Sequence, residues 1–294
     1  MAGHDLIGST MGSPEPRSCG LCGDFRKLTK AHVPPQVAGN TSRVERASDL
    51  VDENRVRRPG RWSPGGMWVR GLCEPCNNLA GIAYDRAYAD FADQIARLTT
   101  HAALRLTVIP GEAPGARFAP GLVARCVLFG MFAINPRLRV LFPDLAHDLL
   151  TEVPGEGPVR WPDRLALKVG RTQPRFERHA LLVSGVWSMR VLVERVRHSS
   201  FADIVFPPLV WCLVPVDDSH ELQLGPEVTK PLVDASDWVH YGPDRTSVDV
   251  DLRHLTRTFP ALAHPMHVKQ DDWVEMLADS THEGGPVVLF GRIP

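Results

Sequence analysis

Two Cys-x-x-Cys pairs, Cys19 with Cys22 and Cys73 with Cys76, constrain this chain more than any other feature of its 294 residues. A two-residue spacing lets both sulfurs of a pair reach one ion at about 2.3 Å, and two pairs complete the tetrahedral S4 shell of a structural zinc site. Four sulfur ligands leave no open position, so such an ion holds the fold together and does not itself activate water. Fifty residues separate the pairs. That is more than a compact zinc module needs, so other contacts must order the intervening segment or it stays mobile. A redox Cys-x-x-Cys or a disulfide pairing is the competing use, but disulfides belong to oxidising compartments and nothing in the sequence addresses the chain to one. Cys126 and Cys212 sit inside apolar runs, where a thiol behaves as a small hydrophobe.

Around the pairs, the sequence spells out short elements. The glycines of "CGLCGD" suit a tight knuckle, and "KAHVPP" follows as a short strand stopped by Pro34 and Pro35. Residues 37–64 are polar, Arg-rich and non-periodic, and read as a loop or an insertion. "GGMWVRGLC" reads as a second strand running into the second pair. The stretch 77–108 predicts one helix, because Tyr84, Tyr88, Phe91, Ile95 and Leu98 recur at steps of four, three, four and three and share a face.

Beyond Pro110 the pattern changes to a buried helix, "LVARCVLFGMFAI", a shorter helix, "FPDLAHDLLTEV", and four strand-like runs, "LALKVG", "HALLVSGVW", "SFADIVF" and "LVWCLVPV". The tail adds a helix, "DDWVEMLADS", and an edge strand in "GGPVVLFGRIP". The fold class expected is α+β: a flexible leader over 1–18, a zinc module over 19–93, and over 94–294 a larger mixed domain with helices against an antiparallel sheet.

With 44% apolar and 23% charged residues, the composition is that of a globular protein and excludes a wholly disordered chain. Residues 17–70 hold eleven Lys and Arg against five Asp and Glu, although the whole chain carries a net charge of -1. This basic lobe points to a polyanion partner, unless it only reflects an Arg-rich composition. Within it, Arg55, Arg57, Arg58 and Arg61 are candidates to neutralise phosphates and Trp62 to stack on a base; a solvated loop is the plainer reading. The longest apolar runs are too short for a bilayer that needs roughly 20 helical residues, and the N-terminus lacks the character of a secretory signal. A soluble, cytoplasmic protein without a membrane partner is expected.

In order, the chain presents a cysteine knuckle, a strand carrying "AHVPP", a second strand, the knuckle "CEPCNN" and a helix. Over roughly residues 19 to 92 this resembles the HNH endonuclease family in its four-cysteine, zinc-stabilised ββα-metal (treble-clef) form. The resemblance implies that His32 is the general base acting on a water, that Asn77 or its neighbour Asn78 is a helix-borne ligand of a catalytic Mg²⁺ or Mn²⁺, and that Cys19, Cys22, Cys73 and Cys76 hold a structural Zn²⁺. It implies metal-dependent hydrolysis of phosphodiester bonds in DNA. The C-terminal domain is left to choose the substrate, a protein partner or a second copy of the chain.

The sequence departs from the family's pattern just before His32. The family usually places an acidic residue or a His there, whereas Ala31 has no side-chain ligand to give. The family's middle Asn has no obvious counterpart: Asn40 and Asn54 are nearest, and neither spacing suits. Asp24 and Asp85 are carboxylates that would substitute for the missing ligand. Three readings follow: an active nuclease with a rearranged metal shell, a catalytically impaired nucleic-acid-binding or protein-interaction module, or an enzyme acting on something else. Taken alone, His32 reads as a histidine that bonds a backbone carbonyl and stiffens a turn.

Overall fold

The structure, a computed structural model, describes residues 16–46, 61–104, 117–150, 157–171, 179–191, 195–215, 233–244 and 287–292. Strands β1 (Arg17–Ser18) and β2 (Phe25–Arg26) form a small antiparallel ribbon that carries the first knuckle between them. Strand β3 (Leu28–His32) ends where Pro34 and Pro35 remove two backbone donors, and a 3-10 turn, Gln36–Ala38, follows.

The stretch expected to be a plain loop contains a second ribbon, β4 (Val44–Arg46) paired with β5 (Arg61–Ser63), with Glu45 opposite Trp62. Strand β6 (Trp68–Cys73) returns antiparallel to β3, setting His32 opposite Trp68 and Leu28 opposite Cys73. It runs directly into helix α1 (Glu74–Ala83), with Pro75 in the first turn, where a missing N–H costs nothing.

The single helix expected over 77–108 is two. Helix α2 spans Asp85–Leu104, and the chain breaks at Tyr84, where φ is -125° and ψ is -32°. The buried positions explain the break. Cys76, Ala80, Tyr84 and Tyr88 are spaced by four, and each such step overshoots a full turn by about 40° at 3.6 residues per turn. A straight helix would carry this row away from the core, and the break resets its phase. From the break onward the expected stripe holds: Tyr84, Tyr88, Phe91 and Ile95 are all buried. The side chain of Leu98 lies outside the described residues.

Helix α3 (Pro120–Ile134) is apolar all round, and every residue except Leu122 and Gly130 is buried. It lies between the first β-strands and the large sheet. A Cβ built on Gly71 of β6 would sit 1.9 Å from the Ala133 carbonyl oxygen, and one on Gly20 would sit 2.2 Å from that of Phe132, so both positions must be glycine. On its other flank Gly130 packs against Val33 and Ile204. Two short helices follow, α4 (Arg137–Leu141), which the pattern did not indicate, and α5 (Pro143–Asp148).

The sheet comprises β7 (Leu165–Arg171), β8 (His179–Val191), β9 (Arg195–Phe206), β10 (Leu209–Pro215), β11 (Val233–Asp234) and β12 (Val287–Arg292). Their order is β11-β7-β10-β9-β8-β12 and every pairing is antiparallel, with β12 at an edge as expected. The architecture is a mixed α+β one. One sheet face packs on α2 and α3: Trp211 is fully buried, with ring centroids 6.2 Å from Phe91 and 5.9 Å from Trp238. On the opposite face Ala166, Val205, Val210 and Cys212 are buried as well.

A single cluster of buried side chains runs from Cys19 to Val239, and α2 passes through the boundary expected at residue 93. Residues 1–15 of the leader and the helix expected over 271–280 lie outside the described residues. Among the described residues, no helix is long and apolar enough to cross a membrane.

Candidate metal centre and the cavity beside it

The first knuckle is tied by its own backbone: the Cys19 N–H donates to the Asp24 carbonyl at 2.9 Å, and the Gly23 N–H to the Cys19 carbonyl at 3.0 Å. Gly23 takes φ +82°, open to glycine at little cost. The Gly20 N–H donates to the Gly71 carbonyl at 2.8 Å, which pins this knuckle to β6. Cys73 ends that strand as the N-cap of α1, and Cys76 lies on the first turn of the helix.

These contacts bring the four sulfurs within 4.8 Å of one another, so the cluster has the composition and closeness to hold a metal ion. Cys22 Sγ and Cys73 Sγ are 3.7 Å apart. A tetrahedron with sulfurs about 2.3 Å from its centre has edges of about 3.8 Å. The Cys73 N–H also donates to Cys19 Sγ at 3.3 Å. A hydrogen bond with Cys76 brings the Cys19 thiol down to about 4, burial pushes Cys22 up to about 11, and the same Cys19–Cys76 bond raises Cys76. The Cys19 thiolate is thus sustained by the Cys76 S–H, and gathering further thiolates around it calls for a cation's charge. All six cysteines are free thiols.

Leu72 and Asn77, the chain neighbours of Cys73 and Cys76, line an open cavity of about 370 Å³ that is also bordered by β3, the 3-10 turn, α1, the start of α2, α3 and Ile204 of β9. His32 and the adjacent pair Asn77 and Asn78, far from it in sequence, all stand on its wall. His32 Nε2 lies 3.0 Å from the Gly65 carbonyl oxygen. A carbonyl only accepts, so Nε2 carries a proton, and the ring in its neutral form holds its lone pair on Nδ1. Bonding a carbonyl is what a merely turn-stiffening histidine does. Standing on the wall of an open cavity beside two carboxamides is what that role does not need. Asn77 donates from Nδ2 to the Lys30 carbonyl at 3.1 Å, which turns its Oδ1 the other way. Asn78 is exposed.

The loop that supplies Gly65 is held by a residue that sequence spacing passed over. Asn40 is 1% exposed, donates from Nδ2 to the carbonyls of Pro34 at 2.6 Å and Met67 at 2.8 Å, and accepts the Met67 N–H on Oδ1 at 2.6 Å. It bridges the end of β3 to the start of β6. Its spacing in "AGNTS" does not show these partners, which appear once the strands pair.

Ala31 is buried and offers no side-chain ligand. Of the two carboxylates weighed against that gap, Asp24 is exposed and pairs with Arg26 at 2.8 Å, away from the cavity wall. Asp85 stands on it, the one carboxylate to do so among the described residues. Its Oδ1 accepts from the Cys126 thiol at 3.7 Å, and burial raises its carboxyl above the ordinary carboxylate range. Lys30, also on the wall, holds its ammonium 4.5 Å from the centre of the Trp68 ring. Arg55, Arg57 and Arg58 lie outside the described residues, and of Arg61 and Trp62 only the backbone, on β5, is described. No family model, no curated protein and no solved structure matches the chain.

Proposed function

We propose that the chain is a zinc-stabilised, HNH-like endonuclease that hydrolyses phosphodiester bonds in DNA, with His32 as its general base. One observation carries this reading: an imidazole whose Nε2 is committed to the Gly65 carbonyl shares a cavity wall with Asn78, Asp85 and Asn77, the chain neighbour of Cys76 in the four-cysteine cluster. The soft S4 donor set suits Zn²⁺ and leaves it a structural part.

Nδ1 of His32 would take a proton from water, and the Gly65 carbonyl would steady the imidazolium through the Nε2–H bond. Oδ1 of Asn77, the Asn78 carboxamide and the Asp85 carboxylate would hold a hard divalent cation through oxygen, Asp85 giving the negative charge that Ala31 does not. Bound there, Mg²⁺ or Mn²⁺ would offset the charge that develops on the phosphate and its leaving oxygen. Lys30 would draw the phosphate backbone toward the cavity. Ala31 favours one second reading, a binding module that keeps the zinc fold without turnover.

Plasmid cleavage in Mg²⁺ or Mn²⁺ separates the two. His32→Ala is expected to lower the rate by about 10²- to 10⁴-fold, the usual weight of a general base, with the zinc content unchanged. Ala31→Asp is expected to raise it. A native chain that cuts no DNA or RNA leaves the binding reading in place of the enzyme.

A further inference from the structure

The cavity is more apolar than a phosphodiester requires. Phosphate is small, anionic and strongly hydrated, and proteins hold it with cations and N–H donors. Lys30 is the one cation on the wall among the described residues; Leu72, Tyr88, Val127, Phe129 and Ile204, which line it too, offer an anion almost nothing, and Asp85 repels one.

Two further apolar side chains border the same cavity from different elements: Val37, 61% exposed on the 3-10 turn, and Ile82, 87% exposed on α1. A lone exposed aliphatic is ordinary. Two of them beside a half-apolar cavity mark a place where something apolar docks. Gly81 adds to this. A Cβ there would meet nothing nearer than an Asp85 carboxylate oxygen at 3.8 Å, so the missing side chain leaves the wall open beside Ile82. Glycine weakens a helix interior relative to alanine, and the open wall is what its presence gains.

We infer that the cavity receives a nucleobase removed from its stack and held between Val37 and Ile82, so that the substrate is single-stranded or locally unpaired nucleic acid. The inference rests on the nuclease reading of His32 and names the form of its substrate. A base is flat, with apolar faces and polar edges. Its faces match the aliphatic border and the inner wall, and its edge meets the Gln36 carboxamide, which lines the cavity next to Val37. A base still stacked and paired in a duplex presents no face to such a border. Because His32 lines the same cavity, the phosphate adjoining the captured nucleotide is the one presented to Nδ1.

The test uses the full chain and a fluorescently labelled oligonucleotide offered as a single strand, as a perfect duplex and as a duplex with a central mismatch. Fluorescence anisotropy is read without divalent cation, and cleavage is read afterwards in Mg²⁺. The expected result is that the single strand and the mismatched duplex bind at least tenfold more tightly than the perfect duplex. Ile82→Ser and Val37→Ser, both at exposed positions, are each expected to weaken single-strand binding by roughly tenfold and to leave duplex binding and melting temperature unchanged. Equal affinity for single strand and duplex, or single-strand binding indifferent to both substitutions, overturns the inference. Selective single-strand binding without cleavage supports it and removes the catalytic reading. Cleavage with a duplex preference does the reverse, and no binding to any of the three removes both.

Discussion

Asn40 sets the geometry on which His32 depends. Its side chain answers one N–H and two carbonyls in a buried loop, and a buried group stripped of its partner costs about 1 to 3 kcal/mol. Asn40→Ala is expected to lower unfolding stability by about 3 kcal/mol in urea titrations and to loosen the Gly65 carbonyl from His32. On the proposed nuclease reading, cleavage should then fall although no atom of the cavity wall has changed; a variant as stable as the native chain would refute the bracing role of Asn40. His32, Asn77 and Asn78, which share the cavity wall, could be singled out because each adjoins a recognisable mark, the double proline or the second cysteine pair. Asn40 and Asp85 could be named only as ill-matched substitutes, since a carboxamide that braces two carbonyls and a carboxylate at a helix start carry no local signature.

Among the elements, β9 and β10 hold a group that ties stability to pH. Asp203 stands opposite Cys212 in the sheet register, its Oδ1 finds no hydrogen-bond partner, and burial pushes its carboxyl up to about 7 from an ordinary 3.8. Below pH ~4 the carboxyl is protonated in both folded and unfolded chains. Between ~4 and ~7 the unfolded chain releases a proton that the folded one keeps, so stability declines as pH rises through that window. Asp203→Asn is expected to remove this decline and to melt higher than the native chain at pH 8, as thermal unfolding at pH 5 and pH 8 would show. Parallel pH profiles for the two proteins would rule the account out. The strands themselves were legible from their β-branched, apolar runs. Their order was not: β7 reaches past β8 and β9 to pair with β10 and β11, and no local pattern encodes so distant a partner. The α1–α2 break was hidden for a different reason, because steps of three and four fit a helix whether or not its phase is reset.

For the molecule as a whole, the four-cysteine cluster should act as a fastener, since zinc bound by such a set contributes folding free energy outright. Elemental analysis is expected to find one zinc per chain. Its removal by a chelator, or Cys76→Ser, should lower the melting temperature by on the order of 10 °C, given roughly 2 to 4 °C per kcal/mol for a chain of about this size. Much less than one ion per chain in purified protein would contradict this. Local spacing announced the cluster, but the helix that seats it, α3, lies 44 residues beyond Cys76 in the chain. The carbonyls of Phe132 and Ala133 occupy the space that side chains at Gly20 and Gly71 would fill. The small N-terminal unit is therefore unsuited to be lifted out and grafted onto another protein. A fragment ending at residue 93 would expose the surface that α3 covers, and evolution could exchange the unit between proteins only together with that helix or a close copy of it.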